Sequence, residues 1–108
     1  MKVRDITTHS RRDTDRKPRI VQFSEEQTGI EFKIHKHIDY PRTWLLSCGE
    51  LCDKVNLETN DFCEATEKAI SLLKKLCATR IEELQNFVSG MEQFQSTKNK
   101  GIFFDGRI

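Results

Sequence analysis

The chain has 108 residues, a net charge of +1, 36% hydrophobic and 32% charged residues. That length fits one domain with a modest core, and an apolar share below the ~45–50% of typical globular chains points to a compact core with a solvated segment attached. Near-neutral charge excludes global steering towards nucleic acid or an anionic membrane, no run of about 18 apolar residues is present to span a bilayer, and glycines scattered at 29, 49, 90, 101 and 106 build no phosphate loop.

Residues 1–18 read as a flexible basic tail, with a single α+β domain over 19–108. The first 19 residues hold seven Lys/Arg and three Asp, a local charge of +4. Besides Met1, their only aliphatic residues are Val3 and Ile6, too few to repay the entropy of ordering. Met1-Lys2-Val3-Arg4-Asp5 leads into no apolar stretch of the secretory type. Together with four cysteines (Cys48, Cys52, Cys63 and Cys77), this suggests a reducing cytoplasm and free thiols.

From Ile20 the period becomes two. Ile20-Val21-Gln22-Phe23 is short, β-branched and aromatic, and Ser24 to Gly29 supplies a turn. Ile30, Phe32, Ile34 and Ile38 then share one face, interrupted by Lys36, while Glu31, Lys33, His35 and His37 share the other. One wet face and one buried face predict an N-terminal antiparallel β-hairpin on a core. Over 41–56, Trp44-Leu45-Leu46 is compatible with a third strand. Helical spacing of Leu45, Cys48, Leu51, Cys52 and Val55, with Asp39 placed as an N-cap before Tyr40-Pro41, favours a short helix.

A long C-terminal helix is expected from Asp61 to about Gln95. Asp61 and Glu64 form a D-x-x-E capping box. Ile70, Leu73, Cys77, Leu84, Phe87, Met91 and Phe94 recur in alternating steps of three and four, broken only by Arg80. A helix of ~35 residues runs roughly 50 Å, longer than a small domain is wide. Either it breaks near Ala78-Thr79, or its distal part finds a partner. Ile102-Phe103-Phe104 follows as a terminal apolar segment suited to docking.

No site chemistry emerges. Cys48, Cys52, His35 and His37 are zinc-type ligands, but their spacing matches no zinc ribbon or finger, and each cysteine sits in an apolar pattern that suits a small core residue. Cys48, His35 and Asp39 can be assembled into a nucleophile, base and acid on paper only. The expectation is therefore a non-enzyme without cofactor: a protein-binding module of regulatory, adaptor or inhibitor type, a profile that phage proteins share. Partner contacts are assigned to Glu31, Lys33, His35 and His37 on the hairpin face, and to Phe103 and Phe104. Leu84, Phe87, Val88, Met91 and Phe94 form an apolar patch suited to a homodimer. The alternative is a nucleic-acid accessory protein holding phosphates with Arg11, Arg12, Arg16, Lys17 and Arg19.

Overall fold

The structure, a computed structural model, describes residues 1–9 and 17–99. Its class is α+β: among the described residues five strands, β1 (Lys2–Asp5), β2 (Ile20–Ser24), β3 (Glu31–His37), β4 (Tyr40–Cys48) and β5 (Cys52–Asn56), precede one helix, α1 (Phe62–Asn99). The strands lie in the order β1-β2-β3-β4-β5, each antiparallel to the next. Two compact units divide the chain, Met1–Lys74 and Lys75–Ile108.

In the first unit, alternation sorts the side chains as the hairpin reading requires. Val21 pairs with Ile34 and Phe23 with Phe32, and all four are buried. The Phe23 and Phe32 rings stack with centroids 4.7 Å apart. On β4 the same face carries Trp44, Leu46 and Cys48, and Leu46 and Ile34 are sealed from solvent completely. The first turns of α1 close this face. Phe62 meets Trp44 edge-on at 5.2 Å, and Ala65, Ala69 and Leu73 are buried. Two fully buried alanines four residues apart leave the helix backbone free to approach the aromatic layer closely.

The helix starts where its cap predicts, but the box is half built. The Asp61 carboxylate accepts the Cys63 amide at 3.3 Å. Glu64 instead takes the Thr59 hydroxyl, and that hydroxyl accepts the Asp61 N–H. α1 is continuous through Ala78-Thr79. Its second-unit portion is helical through Asn99, with Arg80 paired to Glu83 at 3.1 Å.

Four expectations are corrected. No helix spans 41–56, which folds as β4 and β5 around a turn at Gly49–Leu51. Gly49 has φ +48°, a turn conformation natural to glycine, so its presence marks a reversal and not a weak point in a helix. Pro41 sits where β4 shifts register against β3, a place where a missing N–H breaks no ladder. The first 18 residues are not a tail throughout: Lys2–Asp5 is an edge strand on β2. Beyond it, the Thr7 hydroxyl donates to Asp5 and accepts the amides of Arg19 and Ile20, clasping the two ends of the connection. Ile30 and Ile38 leave the buried face and are 62% and 90% exposed. Ile30 precedes β3, and Ile38 occupies the two-residue turn between His37 and Tyr40. Lastly, Ile70 and Cys77 of the helical stripe are exposed, because Ala65, Ala69 and Leu73 supply the face that meets the sheet.

Candidate functional site

The outer face of the sheet, opposite the helix, carries the polar chemistry. His35 on β3 faces Ser47 on β4 and Asp53 on β5, and one hydroxyl joins all three. Ser47 Oγ donates to Asp53 Oδ1 at 3.2 Å. It also accepts the Lys54 amide at 3.0 Å and lies 2.8 Å from His35 Nε2. When Ser47 gives its only proton to Asp53, it accepts from His35, and the imidazole then carries its proton on Nε2. Both hydroxyl lone pairs are then engaged. Serine stands between histidine and acid, whereas a nucleophilic serine needs the histidine in the middle. Burial pushes the His35 imidazole below its ordinary pKa, with Asp53 pulling the other way.

The same serine supports an irregular edge. Leu46 pairs with Val55 and Cys48 with Cys52, so β5 spends one residue more than β4 over this interval. Lys54 lies in that bulge at φ +51°, a left-handed conformation that is uncommon for a lysine. Its amide is anchored on Ser47. Such a bend re-aims the side chains around it.

Beside the bulge lies a cleft of about 250 Å³ lined by His37, Tyr40, Leu45, Lys54 and Asn56. Leu45, opposite His35 and Asn56 in the sheet register, forms its apolar part and is only 4% exposed. His37 Nδ1 accepts the Asp39 amide at 3.1 Å across the turn, and the Asp39 carboxylate lies 3.6 Å from the same nitrogen. Asn56 Oδ1 accepts the Glu58 amide at 2.7 Å, which leaves the carboxamide NH₂ as its remaining polar group.

The residues expected on the hairpin face do share the outer side of β3. Glu31 and Lys33 are exposed, with the Gln22 amide donating to Glu31, while His35 and His37 are half-buried. Tyr40, Lys54 and Asn56 complete the surface and were not legible as site residues. An expected helix over 41–56, with Tyr40 at its entry, hid all three. Lys36, the apparent interruption, lies with its ammonium 4.8 Å from the Trp44 ring centroid and 2.6 Å from Asn60 Oδ1, so it closes the core's edge instead of opening it.

The zinc-type residues are not brought together. The Cys48 thiol is buried on the inner face, within 3.6 Å of the Glu31 carbonyl, whereas His35 belongs to the outer face. Among the described residues no group of three or more His, Cys, Asp or Glu could hold a metal ion. Separation by the sheet likewise breaks the paper assembly of Cys48 with His35. Burial raises the Cys52 thiol's pKa, which disfavours the reactive thiolate.

Along α1, Ile81, Leu84, Phe87, Val88, Met91 and Phe94 are 45–63% exposed. Lys17 and Arg19 of the basic set are exposed, and Arg19 reaches the Thr8 carbonyl at 3.5 Å. Arg11, Arg12, Arg16, Phe103 and Phe104 lie outside the described residues. Among the described residues no helix is long and apolar enough to cross a membrane. Comparison of the chain with protein-family models, curated proteins and solved structures gave no match.

Proposed function

We propose that this protein is a non-enzymatic binding module of the regulatory or adaptor kind, working as a homodimer joined through α1 and offering the outer face of its sheet to a protein partner. The exposed helical stripe carries the reading. From Ile70 to Phe94 its apolar positions alternate three and four residues apart with Arg80 the single exception, which is the heptad spacing that winds one helix around another. The six large side chains from Ile81 to Phe94 expose roughly 600 Å², the upper end of what a monomer leaves bare. A second copy laid on that stripe brings the total to roughly 1,200 Å², the lower bound for a specific interface. Arg80, already paired with Glu83, enters the seam with its charge balanced. The saturated Ser47 on the sheet supports binding over catalysis.

Sedimentation velocity of the full chain between about 1 and 100 μM is the test. The wild type should pass from monomer to dimer, and Leu84→Glu with Met91→Glu should stay monomeric while keeping its helical circular dichroism. A wild type that remains monomeric at tens of micromolar would sink the proposal. Capture from lysate with and without nuclease then separates a protein partner from one held by phosphate contacts.

A further inference from the structure

The cleft on the outer sheet face is lined by side chains that can donate hydrogen bonds. Lys54 supplies an ammonium, Tyr40 a hydroxyl that can donate or accept, and Asn56 an NH₂ beside a carbonyl oxygen already bonded to the Glu58 amide. His37 Nδ1 accepts the Asp39 amide, and the Asp39 carboxylate stands 3.6 Å from the same nitrogen. No carboxylate lines the cleft, and its apolar part is Leu45, nearly buried on the face away from the core. A second observation marks the same place. Lys54 is a non-glycine residue held at φ +51°. Backbone strain of this kind persists where the surrounding structure enforces it, and it concentrates at binding sites. Glycine would occupy that bend more easily and would forfeit the cation.

From this donor set we infer that the cleft binds a carboxylate carried on a short, branched apolar stem. The carboxylate is met by Lys54, Asn56 and Tyr40, and the stem lies against Leu45. A volume of about 250 Å³ suits one such group. Two sources offer this chemistry: a free small acid, or the C-terminal carboxylate of a protein chain ending in leucine, isoleucine or valine. The second source rests on the reading of the outer face as a partner surface. The first does not, and neither depends on self-association through α1.

The experiment is a titration of the ¹⁵N-labelled full chain, followed by amide chemical shifts. The probes are isovalerate, its uncharged isostere isovaleramide, inorganic phosphate, and a pentapeptide ending in leucine. Isovalerate should move the amides of 37–40, 45 and 54–56 saturably, and bind about tenfold or more tighter than either isovaleramide or phosphate. Lys54→Gly should lose that binding by about tenfold without a lower melting temperature, whereas Lys54→Arg should keep most of it. Tyr40→Phe, an exposed change that leaves the ring in place, should weaken it severalfold. Equal binding of the neutral amide, equal binding of phosphate, unsaturable shifts, or full binding by Lys54→Gly would each overturn the inference. If the pentapeptide binds about tenfold tighter than isovalerate, the carboxylate is a partner's C-terminus; equal or weaker binding assigns it to a free acid. A monomer in the ultracentrifuge would end the dimer proposal and leave this result untouched.

Discussion

Replacing Ser47 with alanine removes a hydroxyl that holds three neighbours, and its cost can be built from those bonds. The Asp53 carboxylate is exposed, so water takes over the 3.2 Å bond at little loss. The His35 bond, at 2.8 Å and half-buried, is a typical internal hydrogen bond worth about 1 kcal/mol. The Lys54 amide, at 3.0 Å, anchors the bulge and contributes about 0.5–1 kcal/mol. The total is about 1.5–2 kcal/mol, against the ±0.5 kcal/mol usual for a change at a sheet surface. For a domain of this size that corresponds to a fall in melting temperature of roughly 6–16 °C. Urea denaturation at fixed protein concentration measures it, with the slope unchanged if the denatured state is unaffected. Ser47→Thr keeps the hydroxyl and should recover most of the loss. In a Lys54→Gly background the left-handed bend no longer needs its anchor, so Ser47→Ala should cost at least about 0.5 kcal/mol less there. A loss below about 0.5 kcal/mol in the wild type, or the same loss in both backgrounds, would refute the idea that Ser47 holds the bulge.

Leu46→Ala empties a sealed position in the sheet and should cost about 2–5 kcal/mol by the same denaturation assay, while Leu84→Ala, on the exposed stripe, should change monomer stability by less than about 0.5 kcal/mol. Asp61→Ala removes the side-chain cap of α1 and should cost about 1 kcal/mol, with Asp61→Asn restoring most of it. His35 titrates lower in the fold than in the unfolded chain, chiefly because it is partly buried. Its contribution to stability is therefore complete above the unfolded pKa of about 6.5 and is lost as pH falls through the lower folded value, because the unfolded chain takes the proton first. Melting temperatures between pH 7.5 and 5 should fall more steeply for the wild type than for His35→Gln, and parallel slopes would exclude His35 as the titrating group.

What the sequence made legible follows where burial was one-sided. Phe32 and Ile34 alternate with Glu31, Lys33 and His35 because only one face of β3 is covered, and the period of two survives in the residues. β4 has no such simplicity. Trp44 and Leu46 face the core while Leu45 lies in the outer cleft, so three consecutive apolar residues are buried and the alternation vanishes. Helical spacing from Leu45 to Val55 then arises from a turn at Gly49 and a bulge at Lys54, two backbone features that leave no period behind them. Lys2–Asp5 was illegible for the opposite reason. All four residues are exposed, and what makes the segment a strand is the backbone of β2. The cleft inherited both difficulties: His37 was visible, but Tyr40, Lys54 and Asn56 join it only through the register of β4 and β5.

The bend at Lys54 has one more consequence, for how the molecule behaves at high concentration. Among the described residues β5 is the last strand of the sheet, with one side of its backbone facing no other strand. A flat edge of that kind is a template on which further chains can stack into fibrils. A left-handed residue in mid-strand twists the edge out of line, and a lysine there adds charge that a stacked neighbour would have to bury. The residue that lines the cleft therefore also disfavours stacking at this edge. A glycine at this position, easier on the backbone, would trade that protection for stability and leave the protein more prone to aggregate than its melting temperature suggests.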